Sequence, residues 1–325
     1  MLFDESDESA PQVLTFAHQF IFAVNAGSNT VSMLKINKDD PTKLAMVGEP
    51  VSIPGEFPNT VDASWTHKIV CVGASGSKAG VSCAPFSVSG IGSMDALRPF
   101  ELNQSTPPVG PLNTVSQVFF SEDETTLFTT VKGDPGNNNT GFLAAFPVQL
   151  ACGTAAASVS QQGMQSSPAG TAVLFGAANI PGSTDLFVSD ASFGGAILSI
   201  DPISNNATVK GKAVVDGQQA TCWAAVSLKT NTGFVTDVGV NRIVEMSLDN
   251  ASIQKIIDLS SNGDPGLIDL QVVGDFIYAL SPGNGTTASA VTVVDVISRM
   301  QVQHFQVQND TFDKNAVGMA VFLTV

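Results

Sequence analysis

Short apolar runs follow one another along this chain, each of strand length and each closed by Gly, Asn, Asp or Ser. They are clearest between Ala220 and Leu259, where CWAAVS, GFVTDV, RIVEMSL and SIQKIIDL come in succession. Val, Ile, Phe and Thr dominate the runs, and the residues between them supply turns. The pattern predicts four consecutive antiparallel strands, with tight turns at Lys229–Gly233 and Gly239–Asn241. A lone meander of this kind cannot bury both faces, so it needs neighbours like itself.

The chain supplies them. GFVTDVGVNRIVEMSL recurs as FIFAVNAGSNTVSMLKI from Phe20, KIVCVGASGSKAGVSCAPF from Lys68 and TLFTTVKGDPGNNNTGFLAAF from Thr126. It returns as DLFVSDASFGGAILSI from Asp185 and FIYALSPGNGTTASAVTVVDV from Phe276. An apolar run precedes each copy (QVLTFA, TVDASW, SQVFFS, AVLFGA, CWAAVS, LIDLQVV), and a further one, GMAVFLTV, closes the sequence at Val325. The copies recur at the spacing of four-stranded propeller blades. We therefore expect an all-β fold, a β-propeller, forming one domain over residues 1–325. Six inner-to-outer sets run from Gln12 to about Val307, and Gly318–Val325 stands apart as one more inner strand.

Composition narrows the partners. The chain carries 29 acidic and 14 basic residues, a formal charge of −15, and such a surface repels phosphate backbones and anionic headgroups. No nucleic-acid or membrane partner is expected, and no apolar run reaches the ~18 residues of a membrane span. Six Asn-x-Ser/Thr sequons, at Asn103, Asn138, Asn206, Asn250, Asn284 and Asn309, fall in expected turns or edges. They point to N-linked glycans and an extracellular, secreted protein. Met1–Glu5 lacks the basic start and apolar stretch of a signal peptide. Either the sequence is a mature or trimmed form, or the secretion reading fails.

Cys71 and Cys83 lie symmetrically about Ser77 in the turn GASGSKAG, so they can face each other across a hairpin as a disulfide; two buried thiols are the alternative. Cys152 and Cys222 fall two blades apart, which argues against a bridge between them. No Cys-x-x-Cys pair, spaced His pair or Gly-x-Ser-x-Gly elbow occurs. We expect neither cofactor nor metal, although Asn25, Asp190 and Asp237 offer oxygen ligands that leave calcium open.

VNAGSNTVSMLKI, FSEDETTLFTTVKG, DGQQATCWAAVS and GFVTDVG resemble the secreted fungal branch of the lactonase-like seven-bladed propellers, the 3-carboxymuconate cyclase-like proteins. The likeness runs from about Leu2 to Phe322. It implies a seven-bladed fold and metal-free opening or closing of a lactone. In that family the last strand is the inner strand of a blade completed from the start of the chain. Met1–Ala10 is too short and acidic to complete it. The expectation is thus six complete four-stranded blades plus the inner strand of an incomplete seventh, which a segment ahead of Met1 would finish.

Lactone chemistry needs proton transfer beside a group that stabilises a carboxylate or enolate. The resemblance implies His, Arg and Glu near the channel. However, His18 and His67 fall in first-to-second-strand turns and His304 in an outermost strand, so no catalytic His carries over. The loops between second and third strands contribute Asn25, Lys132, Asp190, Asp237 and Arg242 to the expected mouth. Asn or Asp in such a place also closes its own turn. Lys132, a lone cation ending LFTTVK, is suited to a carboxylate. Inner strands add Asp62, Gln117, Trp223 and Asp269, and the joint DGQQATCW adds Gln218 and Gln219. A buried Asp must be hydrogen-bonded or paired, so Asp62 and Asp269 serve either to tie blades or as the base, with Lys132 as anchor. Two functions follow: an enzyme acting on a small carboxylate or lactone, or a non-catalytic extracellular binding or surface glycoprotein.

Overall fold

The computed structural model describes residues 14–150, 156–307 and 316–322. The chain divides into two compact units, the first built mainly from residues before Lys132 together with 143–165, the second from 132–142 and the residues from Ser166 on.

Three sheets make the first unit. The first contains β1 (Leu14–Ala17), β2 (Phe20–Asn25), β3 (Thr30–Ile36) and β4 (Leu44–Met46) in that order, with β5 (Val51–Ser52) also on β3. The second contains β6 (Pro58–Ser64), β7 (Ile69–Ala74) and β8 (Gly80–Ser87), edged by β9 (Gly90–Ile91) and β10 (Arg98–Pro99). The third runs β11 (Val115–Phe120), β12 (Thr126–Val131) and β13 (Phe142–Gln149), edged by β14 (Ser158–Val159) and β15 (Met164–Ser166). All three outer edges are short, interrupted strands.

The second unit repeats the plan with longer edges. Its sheets are β16 (Leu174–Asn179), β17 (Leu186–Asp190), β18 (Gly194–Ile200) and β19 (Ala207–Val214); β20 (Thr221–Ser227), β21 (Thr232–Asp237), β22 (Arg242–Ser247) and β23 (Ile253–Asp258); and β24 (Asp269–Val273), β25 (Phe276–Ser281), β26 (Ala290–Asp295) and β27 (Met300–Gln306). Every neighbouring pair is antiparallel. The architecture is an all-β propeller of six blades.

Burial explains the composition of the strands. β7, β11 and β12 are buried along their whole length, because sheets pack on both of their faces; hence no charged residue stands in them, and their polar members are the neutral Ser116, Gln117, Thr126, Thr129 and Thr130. Outer β19 alternates, with every second residue turned outward. Phe20, Phe22, Val31, Met33, Val70, Val72 and Phe86 form one core in the first unit. Phe187, Ile197, Val235, Val244 and Met246 form another in the second. There the Phe187 ring approaches the backbone so closely that a Cβ at Gly233 would lie 2.5 Å from it, which is why a residue without side chain stands there.

The inner strands β6, β11, β16 and β20 are bulged, and in the last two side-chain hydroxyls fill the bulges. The register skips between Leu174 and Ala177 and between Thr221 and Ala224. The freed amides of Gly176 and Trp223 donate to Ser189 Oγ (2.9 Å) and Thr236 Oγ1 (3.0 Å) on the second strands. Neighbouring inner strands are also clamped by side chains. Phe120 N donates to Asp62 Oδ2 (2.9 Å), and Val118 N to Thr60 Oγ1 (3.0 Å).

Cys71 and Cys83 are directly opposed on β7 and β8 and are joined in a disulfide. Cys222 is a buried free thiol; Cys152 lies outside the described residues. Of the run Gly318–Val325, expected as a seventh inner strand, residues 318–322 form no ladder among the described residues, and the last three lie outside them. They lie beside β24, where Met319 N donates to Asp269 Oδ2 (2.7 Å) and Met319 O accepts from Gln271 Nε2 (3.5 Å).

Candidate functional site

Three second strands end in Asn or Asp, and each of these side chains has its partners close by. Asn25, ending β2, donates to Thr30 Oγ1 and Ser32 Oγ, both at 3.0 Å, and closes its own hairpin. Asp190, ending β17, is wholly buried and accepts from the amides of Ala172 (2.8 Å), Val173 (3.1 Å) and Ser192 (2.9 Å). Asp237, ending β21, accepts from the amides of Gln219, Ala220 and Gly239 at 3.2–3.3 Å and from Arg242 Nη2 at 3.2 Å. Both carboxylates therefore hold the chain as it enters the inner strand of their own blade. Arg242 also donates to Asp216 O (3.1 Å), while its Nε is buried with no hydrogen-bond partner among the described residues. Gln218 bridges Ala191 O (3.0 Å) and Thr221 N (2.7 Å); Gln219 is exposed.

The third blade breaks this pattern by a change of sign. Directly after β12, where sheets four and five carry Asp190 and Asp237, stands Lys132. It is 2 % exposed, and its Nζ lies 4.4 Å from the centre of the Phe175 ring. Trp223 of β20 meets the same ring edge-on at 6.2 Å. The Cys222 thiol, pushed up by burial, lies in the fields of Lys132, Asp269 and Asp237. Lys132, Phe175, Trp223 and Asp269 thus belong to one buried group in the second unit.

Asp269 is the electrostatic outlier of that group. Burial pushes its carboxyl up to about 8, against the opposing pull of the Met319 amide. Its Oδ2 takes that amide, while Oδ1 is buried with no hydrogen-bond partner among the described residues. Near neutrality such a group both holds and releases a proton.

Asn25, Asp62 and Gln117 belong to the first unit. Asp62 accepts from Thr15 Oγ1 (2.9 Å) through Oδ1 and from Phe120 N through Oδ2, so both oxygens link inner strands. Burial pushes it up to about 6. Gln117 is buried in β11. Exposed His18 stacks on Trp65 at 4.6 Å, and His304 Nε2 lies 3.2 Å from both oxygens of Asp264. Among the described residues no group of three or more His, Cys, Asp or Glu is arranged to hold a metal ion.

Phe175 is the member of the group that sequence reasoning missed. AVLFGA was read as an inner strand, but only the bulge at Leu174–Ala177 aims this ring at Lys132, and no spacing spells that out.

No protein-family model and no curated protein matches the sequence. Solved structures do match in fold. A periplasmic gluconolactonase of Pseudomonas aeruginosa aligns over 91 % of this chain and 84 % of its own, with 13 % identity and a TM-score of 0.66. A candidate 6-phosphogluconolactonase of Bacteroides uniformis aligns over 87 % and 80 %, with 13 % identity and a TM-score of 0.64. A chain of a nidogen/laminin complex aligns over 88 % and 92 %, with 13 % identity and a TM-score of 0.53. At these identities the likeness is one of fold: the chain has the lactonase-like β-propeller fold.

Proposed function

We propose that this chain is a lactonase-like enzyme that opens or closes the ring of a small carboxylated metabolite. The reaction takes place at the buried group of the second unit, with Lys132 anchoring the substrate carboxylate and Asp269 transferring the proton. The observation that carries this reading is the unpartnered Oδ1 of a carboxyl raised to about 8, set in one electrostatic group with a buried ammonium. In the hydrolytic direction water adds to the lactone carbonyl and gives its proton to Asp269. The ring C–O bond then breaks, and Asp269 returns the proton to the departing oxygen. In the cycloisomerising direction of the carboxymuconate cyclase-like proteins, a carboxylate oxygen adds to a double bond and Asp269 protonates the neighbouring carbon. The two lactonases among the fold neighbours support the substrate class.

The same proposal includes secretion and N-glycosylation in the fungal branch of that family. Its support is the Cys71–Cys83 disulfide and the exposure of Asn103, Asn138, Asn206, Asn250 and Asn284; Asn309 lies outside the described residues. It further includes the run from Gly318 on as the inner strand of a seventh blade. The Met319–Asp269 clamp supports this by repeating the Phe120–Asp62 clamp between consecutive inner strands.

One observation favours a second reading, a non-catalytic binding propeller. Lys132, Asp190, Asp237 and Asp269 are all 2 % exposed or less, and two of the three carboxylates are consumed by backbone amides. A turnover screen over lactones and muconates, with Lys132→Ala as control, decides between them. Turnover lost in the variant supports the enzyme. Absence of turnover across the screen, or turnover indifferent to Lys132, removes it and leaves the binding propeller.

A further inference from the structure

The outer strand of a propeller blade has one edge whose amides and carbonyls face away from its own sheet, and such edges pair readily with another chain unless they are blunted. In the first unit the edges are blunted by shortness, since β4, β5, β9, β10, β14 and β15 have two or three residues each. In the second unit β19 is long, but it carries Lys210, held by Asp185 at 2.8 Å, and Lys212. β23 carries Lys255 and Asp258. β27 has neither safeguard. Its seven residues, MQVQHFQ, contain no Lys, Arg, Asp, Glu, Pro or Gly. A bulge interrupts its pairing with β26, but equivalent bulges interrupt β18–β19 and β22–β23, so the bulge does not set β27 apart.

On one face the strand is held inward. Gln301 Oε1 accepts from Asn262 Nδ2 (3.0 Å), and His304 lies against Asp264. These contacts fix its backbone without using its free edge. Met300, Val302 and Phe305 are 65 %, 56 % and 42 % exposed, and among the described residues no strand pairs the outer side of β27. Alternating apolar and Gln residues with no charge are the composition that pairs edge to edge.

We propose that β27 is the contact through which two copies of this chain associate, edge to edge, continuing the sixth sheet across the pair. A second copy is the occupant because charge singles out this strand. Two chains of −15 repel wherever carboxylates meet; β19 sets two lysines side by side and β23 carries Lys255 and Asp258, and β27 is the long outer strand with no Lys, Arg, Asp or Glu. Its partner must likewise be an uncharged edge of matching length, which β27 itself supplies.

Sedimentation velocity over a wide concentration range, at low and high salt, tests the proposal on the full chain, with amide hydrogen exchange read on the same samples. The mass should double with concentration. Salt should favour the doubling, because it screens the residual repulsion and not an attraction. The β27 amides should slow on association. Val302→Glu with Phe305→Glu should restore the monomer, with a Tm that no longer depends on protein concentration. A chain that stays monomeric overturns the proposal and leaves the edge to an extended segment of another protein. A dimer whose β27 amides exchange as fast as in the monomer overturns it as well, and so does a dimer that salt dissociates. If the double variant fails to fold, the exchange measurement on the unaltered chain still decides.

Discussion

Asp269 divides its duties between its two oxygens, one holding Met319 and the other unpartnered. Its proton leaves near pH 8 in the folded chain and near the ordinary 3.8 in the unfolded one. Between those values the folded state binds the extra proton, so its contribution to stability is lost as pH rises toward 8. Asp62 behaves alike only up to about 6. From pH 6 to 8, therefore, Asp269→Asn should remove a slope of about 1.4 kcal/mol per pH unit present in the parent. Asn keeps an acceptor for the Met319 amide, so the variant should melt higher than the parent at pH 8. Parallel Tm–pH curves would place the proton elsewhere. At this scale the sequence was only half informative. Asn25, Asp190 and Asp237 are legible as polar ends of second strands, with turn closure as the alternative to binding; Asn25 closes its own hairpin, but Asp190 and Asp237 also take amides of the incoming chain 17–18 residues before them, which no local pattern spells out. Lys132 stood out as a lone cation. The group that it joins was hidden, because Phe175, Cys222 and Asp269 come from three different inner strands, two of which are bulged where Phe175 and Cys222 stand.

Strands are the level at which the pattern spoke most clearly, since alternation and turn residues recur in every blade. The bulges did not speak, because the hydroxyl that answers each freed amide sits on the next strand and Ser and Thr are common everywhere in this chain. They have a measurable cost all the same. Ser189→Ala leaves the buried Gly176 amide without its acceptor, and should destabilise the fold by about 1–3 kcal/mol in a denaturant titration. A loss no larger than that of an exposed Ser→Ala control would mean that another acceptor serves. The Cys71–Cys83 pairing was legible because both residues lie on one hairpin at equal distance from its turn. The bridge spans 12 residues, and replacing both cysteines by Ala should cost about 3 kcal/mol, read as a lower midpoint in the same titration. An unchanged midpoint in the double variant would show the bridge to be unformed in solution.

The whole molecule carries −15 with few cations to offset it, so the folded state works against its own field. Moderate NaCl should therefore raise Tm, mainly by screening; a Tm that falls with salt would mean that attractive ion pairs such as Arg299–Glu245 outweigh the repulsion. Six blades could be counted in advance because each repeats the same alternation. How residues 316–322 are held could not, since that depends on Asp269 and Gln271 reaching across from β24 and not on any pattern within the segment. Asp201 closes the turn D-P-I-S through the amides of Ile203 and Ser204, and Asp295 closes D-V-I-S through those of Ile297 and Ser298, with matching lengths of 3.1 and 2.7 Å. Each turn is thus closed by its own aspartate through residues of the turn alone. A device that small constrains four positions and no more, so it serves two blades whose strands differ in sequence and leaves those strands to be chosen by packing.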